Sequence, residues 1–495
     1  MDVIDTTMHD ALLAPLEADA TLEGGAPLLA LVAEYFARTR AGDGPVSTRR
    51  TVAEVTARLG EHPSVDGAPL EAVAARLARD LLPDVNHLAH PMYMGHQVSA
   101  PLPAAVWTEP LIAATNNGMA VREMSPVFTP IERHLLRWAC DLVGWGPAAG
   151  GTMTSGGTEA TFVALLAARS AAIPDVWSDG VGAEPPVVVH GAHAHYAITR
   201  AVGQLGLGLR QAIAIPTRGH RMDVEALART LAELAASNRR VMAVVATAGC
   251  TPTGSFDDLS AIGAQCAAYG HWLHVDAAHG GGALLSPAHR ARLAGIDRAQ
   301  TVAWDPHKML LMPLSAGMVL ARDELALDRA FAQSAPYLFH PGADGDERRM
   351  DQGVRSFQCS RRADALKLWV ALERYGTRHL GALHDHLCAL ARQLHDRLAA
   401  RDDFEVLHSP DSNILCFRYV GGLLAVAAPA VVDAFTDALR DRWNGSGVGW
   451  ITATTLDGRR VLRVTMMNPR TGAPHVERLV DGLAALGETM LRAQA

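Results

Sequence analysis

The 495-residue sequence predicts an α/β fold: a central, mostly parallel sheet wound by helices, followed by a small α+β C-terminal domain. Three observations predict it. Between Pro126 and Ala277, short apolar runs alternate with amphipathic helical stretches, as βαβ units require. The runs Arg240–Thr247 and His271–Ala277 are almost continuously apolar, the pattern of strands covered on both faces. Beyond Tyr375 the order changes to a long helix followed by strands and helices, which suggests a smaller α+β unit.

The chain divides into residues 1–125, 126–376 and 377–495. In the first part, Leu28–Arg38 has helical apolar spacing, broken by AGDGPVST at 41–48. Pro69–Leu82 is a second amphipathic helix, HPMYMGHQ at 90–97 an extended loop, and Pro101–Ala114 a helix. Too little strand occurs for a separate sheet, so this part reads as a helical arm or cap. In the second, Thr129–Val143 is a helix, and Gly150–Thr161 is a glycine-rich turn entering the helix Ala160–Arg169. Strands follow at Pro186–His190, Gln211–Ile215, Arg240–Thr247 and His271–Ala277, with helices from His195, at Val224–Ala236 and at Asp258–Tyr269. In the third, Thr377–Ala400 reads as one helix. Strands lie near Phe404–Leu407, Asn413–Tyr419, Val448–Thr454 and Val461–Met467, with helices at Pro429–Trp443 and Pro474–Ala493.

With 49% hydrophobic residues and a mean hydropathy of +0.08, the chain buries a large core. A net charge of −8 argues against nucleic acid or an anionic membrane as partner. No apolar stretch reaches membrane-spanning length, and MDVIDTTMHDALL lacks the pattern of a signal peptide. Six scattered cysteines without a CxxC pair fit a reduced, cytoplasmic protein.

Several clusters carry chemistry. TSGGTE at 154–159 precedes a helix, where glycine-freed N–H groups and the helix dipole suit a phosphate; the alternative is an ordinary capped helix start. His190, His193 and His195 crowd one strand end. His-x-His can bind zinc, but no carboxylate lies nearby in sequence, and a flat imidazole stacked on an aromatic ring is the better use. Gly203, Gly206 and Gly208 are in the wrong order for a dinucleotide fingerprint and read as a turn. Arg463 lies in an apolar strand, where it either pairs with an internal carboxylate or receives one from a substrate. Asp276 ends the apolar run WLHVD, where open α/β sheets place their chemistry, and Lys308 closes the turn WDPHK. Pyridoxal phosphate needs a lysine amine and an acid for its ring nitrogen, and these two residues supply both; the alternative is a capping aspartate and a solvated lysine.

Taken together, HPMYMGHQVS, NNGMAVREMSPVFTPIER, TSGGTEAT, AHAHYAITRA, GSFDDL, HVDAAHGG, WDPHKML, FQCSRRADALKLW and VLRVTMMNP resemble the fold-type I, group II pyridoxal-phosphate amino-acid decarboxylases. The resemblance spans roughly residues 85 to 470. It is nearest to the glutamate, cysteine sulfinate and 2,4-diaminobutyrate branch through SPVF, WDPHKM and QCSRR. It implies the aspartate aminotransferase-like fold, a homodimer with the active site at the subunit interface, and an N-terminal segment packed on the partner. It also implies roles. Lys308 would be the Schiff-base lysine and Asp276 the ring-nitrogen partner, with His195 stacked on the cofactor. Gly157, Thr158 and His307 would contact the phosphate, Ser360 would reach it from the neighbouring subunit, and Thr251 would lie near the cofactor. Tyr93, Gln97 and Ser99 would lie near the substrate, and Arg463 would bind its carboxylate. No metal is implied.

The expected activity is an L-amino-acid α-decarboxylase releasing carbon dioxide and an amine. One departure stands out: the mobile loop of the family carries a tyrosine that protonates Cα, and HPGADGDERRMD at 340–351 has none. Tyr337 matches a different position, leaving His340, His195 or water as proton donor. Decarboxylative oxidation to an aldehyde, or transamination, is therefore the alternative outcome on the same cofactor, ahead of a silent scaffold or a zinc hydrolase. Met92, Tyr93, Met94 and Trp107 would give an apolar wall if they line the pocket, so the side chain of the substrate stays open.

Overall fold

The structure, a computed structural model, describes residues 6–331, 335 and 350–493. Tyr337, His340 and the rest of the stretch 340–349 lie outside the described residues.

A seven-stranded sheet forms the centre, in the order Gly150–Thr154, Gly317–Ala321, Thr301–Trp304, Trp272–Asp276, Val241–Thr247, Val187–Gly191, Ala212–Ile215. The pairings from Thr301–Trp304 through to Ala212–Ile215 are all parallel, while Gly317–Ala321 runs antiparallel to both of its neighbours. Strands 187–191 and 241–247 are buried along their whole length, which is why they read as unbroken apolar runs. The helix Gly157–Ala172 covers one face through Val163, Leu165 and Leu166. Phe128–Val143 covers the other through Leu135, Leu136 and Cys140.

The second sheet is four-stranded and antiparallel, in the order Phe404–Val406, Ile414–Tyr419, Arg459–Thr465, Thr452–Leu456. The helices Pro429–Gly445 and Ala473–Arg492 pack with it, joining Phe435, Leu439, Leu479 and Leu483 to Phe417 and Leu462 in one core.

Several elements differ from the sequence reading. Gly150–Thr154, read as part of a turn, is a strand buried along its length; its glycines are tolerated because Glu324 and Val319 approach too closely for a Cβ. Strands Thr301–Trp304 and Gly317–Ala321 carry no alternation to announce them, being buried on both faces. The helix expected from Thr377 runs to Ala399 as read; Gly376, whose φ of 73° is left-handed, kinks it away from the helical residues that precede it from Ala365. Val448–Thr454 is displaced to Thr452–Leu456, since the backbone of Trp450 is taken up by the loop at 90–97: Met94 donates to Trp450, and Trp450 donates to Met92. Thr465 in turn donates to Met94, so this loop is stitched to the smaller sheet. Among the described residues no helix is long and apolar enough to cross a membrane.

Candidate active site

The parallel strands deliver their carboxyl ends to one cavity of about 400 Å³, lined by Ser155–Thr158, His195, Thr247, Gly249, Thr251, Asp276, His279, Asp305, His307 and Lys308. Parallel strands place loop residues at this end of a sheet, so residues far apart in sequence converge.

One wall is the start of the helix Gly157–Ala172. Glu159 accepts from both the backbone N–H (2.8 Å) and the hydroxyl (2.6 Å) of Ser155 and from Gln358 Nε2 (2.9 Å), which fixes the turn. Gly157 is there for close approach: a Cβ would sit 2.8 Å from Ala278 Cβ and 3.0 Å from Asp305 Oδ2. Gly157 and Thr158 line the cavity at the helix start, whose first-turn N–H groups lack helical partners, as a phosphate requires.

The opposite wall is the end of the Trp272–Asp276 strand. Asp276 is buried, lies opposite Thr247 in the register, and accepts from the Ala278 N–H at 3.1 Å. Lys308 lies in the next loop, its Nζ 3.1 Å from Asp305 Oδ2. His307 is held between the two: Nδ1 accepts from the Ala316 N–H (3.1 Å) and Nε2 is 3.5 Å from Asp305. His195 closes the third side, its Nδ1 accepting from the Ala197 N–H at 3.2 Å. Burial holds both His195 and His307 below the ordinary imidazole range, against the pull of Asp276 on the first and Asp305 on the second, so both rings are neutral near pH 7.

The residues present fit pyridoxal phosphate. A lysine amine, a buried carboxylate at a strand end, a flat neutral imidazole and a helix start face one space of suitable size. Gly157, Thr158, His195, Thr251, Asp276, His307 and Lys308 are thus brought together.

The other expected residues are placed differently. Ser99 is buried behind the cavity, donating to the carbonyl of His307 at 3.1 Å, so it braces the lysine loop. Tyr93 is buried in the core of the smaller sheet, its hydroxyl accepting from the His96 N–H at 3.3 Å. Met92 and Met94 join the same core, so the apolar wall is not at the cavity. Gln97 does not line the cavity either, but its Nε2 is buried with no partner among the described residues. Ser360 is exposed and away from the cavity of its own chain. Arg463 is 6% exposed and faces Cys416 across the ladder. Its Nη1 reaches Thr452 Oγ1 at 3.5 Å, and Nε and Nη2 have no partner among the described residues. Of the two options for this residue, an internal carboxylate is therefore not realised among the described residues. Arg361, by contrast, is neutralised by Glu132 through two hydrogen bonds of 2.9 and 2.7 Å.

The histidine cluster disperses: His190 bonds the Gly191 carbonyl, His193 stands near Asp457, and His195 enters the cavity. Sequence reasoning missed Asp305 and His279. Asp305 reads as a turn former before proline. His279 Nε2 lies 2.7 Å from Asn413 Oδ1, tying the cavity wall to the smaller sheet, and nothing in HVDAAHGG signals a partner so far along the chain.

Comparison with known proteins agrees with this geometry. The pyridoxal-dependent decarboxylase conserved domain matches residues 56–420. The chain is 34% identical over 428 residues to an L-2,4-diaminobutyrate decarboxylase of Rhizobium meliloti (strain 1021), covering 86% of this chain and 82% of the relative. It is 35% identical over 335 residues to a mouse cysteine sulfinic acid decarboxylase, covering 67% of each. The crystal structure of mouse CSAD superposes with a TM-score of 0.88 at 28% identity, covering 98% of this chain and 99% of that one.

Proposed function

Because the chain belongs to the pyridoxal-dependent decarboxylase family and is a pyridoxal-phosphate-dependent amino-acid decarboxylase, we propose that Lys308 is the residue that holds the cofactor covalently and exchanges it for the substrate amine. The observation carrying this is the single cavity in which Lys308, the Asp276 carboxylate and the Gly157 helix start meet. When bound, the cofactor supplies an electron sink for the pair left at Cα as carbon dioxide departs.

The residues of the chain do the rest. Asp276 holds a proton on the ring nitrogen, and its contact with the Ala278 N–H keeps the carboxylate aimed. Helix N–H groups at Gly157 and Thr158, with His307, hold the phosphate. His195 would lie against the cofactor ring with Thr251 near it, and the neutral His195 imidazole would be able to pass a proton to Cα. Arg463 receives a substrate carboxylate, a reading supported by its buried Nε and Nη2, which have no partner among the described residues; Gln97 Nε2 is likewise an unpartnered buried donor. Such recognition favours a small polar L-amino acid of the kind named for the relatives above. Tyr93 and Ser99 act behind this site, shaping the loop at 90–97.

The assembly is proposed as a cytoplasmic homodimer with residues 1–125 as a helical arm on the partner, 126–376 as the cofactor domain and 377–495 as the small domain. Support comes from the free cysteines, from exposed Leu12, Leu16 and Leu22 on the first helices, and from Ser360, which is exposed and does not line the cavity of its own chain. Reduction of the loaded protein with borohydride followed by peptide mapping tests the central assignment. A pyridoxyl group on Lys308 is expected; one on any other residue overturns it.

A further inference from the structure

The helix Ala365–Ala399 carries His384, Cys388 and Arg392 at successive i, i+4 positions, hence on one face. His289, from the turn that follows the Gly280–Leu285 segment, packs against that face. One nitrogen of each histidine and Cys388 Sγ all lie within 4.8 Å of one another, and all three residues are buried. None of them lines the active-site cavity.

We propose that His289, His384 and Cys388 bind one borderline divalent transition-metal ion, zinc being the ordinary occupant of a nitrogen–nitrogen–sulfur donor set. The surroundings are those of ligands rather than of spare core residues. His289 Nδ1 lies 2.9 Å from Asp385 Oδ1 and 3.2 Å from Ser286 Oγ, which keeps the proton on Nδ1 and makes Nε2 the acceptor nitrogen. A carboxylate behind a ligating imidazole is the arrangement that orients metal-bound histidines. Cys388 Sγ lies 3.9 and 4.0 Å from the two ring nitrogens of His384. On binding, the Cys388 thiol gives its proton to solvent as the metal–sulfur bond forms.

Arg392 competes for the site: its Nη1 lies 3.3 Å from His289 Nε2, donating to the lone pair the metal would use. The same side chain lines a surface groove with Gln393 and Asp396, which gives the guanidinium a way out to solvent and the ion a way in. A bound ion would clip the long helix to the segment that follows the Asp276 strand, so its role is structural.

The test uses the cofactor-loaded protein, stripped with chelator and titrated with Co²⁺. A stoichiometric thiolate-to-cobalt charge-transfer band is expected, displaced by Zn²⁺, with proton release. The band is expected to vanish in Cys388→Ser while the cofactor absorbance shows that the variant is folded. Asp385→Asn should weaken Zn²⁺ binding by about 10–100-fold, and Arg392→Ala should tighten it. Absence of the band in the unaltered protein overturns the proposal. So does a band that survives Cys388→Ser, which would place the ion at another thiol such as exposed Cys359.

Discussion

Lys308 Nζ stands 3.1 Å from Asp305 Oδ2, and that carboxylate is 1% exposed. The amine that is to react is thus accompanied by a buried anion three residues earlier on the same turn. Asp305 Oδ1 has no hydrogen-bond partner among the described residues, so the carboxylate rests on Lys308 and on His307 at 3.5 Å. Removing it strands the lysine charge in a partly dry site. Asp305→Ala is expected to lower stability by about 2–3 kcal/mol, measured as a fall in the urea midpoint of the cofactor-free protein. An unchanged midpoint would show that solvent, not Asp305, carries the charge.

Gly157 makes room for the helix start. A methyl group there must push back Ala278 or Asp305, with contacts of 2.8 and 3.0 Å. Gly157→Ala is expected to cost about 1–3 kcal/mol in overpacking and to weaken retention of pyridoxal phosphate on dilution, whereas Gly180→Ala, with open space around it, keeps retention unchanged.

Arg463 carries a desolvated charge with no carboxylate to offset it among the described residues, and burial pushes the guanidinium below its ordinary range. Function and stability should therefore part at this residue. Arg463→Met is expected to raise stability by about 1–3 kcal/mol while KM for the substrate rises by at least about tenfold. A variant that loses stability instead would show an internal partner for the guanidinium.

Burial lowers His274 and His408 to about 4 and His279 to about 3. Their unfolded values lie near 6.5, so between about pH 6.5 and pH 4 the unfolded chain binds more protons than the folded one. The stability these rings contribute is complete above pH 6.5 and is lost as pH falls towards 4, at a slope of about 1.4 kcal/mol per pH unit for each ring. Denaturant titrations at successive pH values check this. A flat profile down to pH 4.5 would contradict it.

The fold and the near side of the site were legible because parallel strands write themselves as apolar runs, VMAVVA among them, and the run WLHV ends on Asp276. The Gly157 helix start announced itself through glycines and capping residues. Hidden were features made only by distant pairing. Gly150–Thr154 looks like a turn until Gly317–Ala321 comes to pair with it. Ser99 and Tyr93 sit near site residues in space but point at backbone, which spacing does not reveal. Asp305 takes its meaning from a side chain one helical turn away, and the His289–His384 contact joins segments 95 positions apart, His384 minus His289.

Product stoichiometry tests the central claim most directly. The purified protein with added pyridoxal phosphate is offered L-2,4-diaminobutyrate, cysteine sulfinate, aspartate, glutamate and other L-amino acids, and carbon dioxide, amine, aldehyde and peroxide are followed together. The account predicts carbon dioxide and amine in equal amounts from at least one of them, abolished by Lys308→Ala. Aldehyde with peroxide and ammonia in place of amine would contradict it, and would assign the outcome to the absence of a tyrosine between residues 340 and 351.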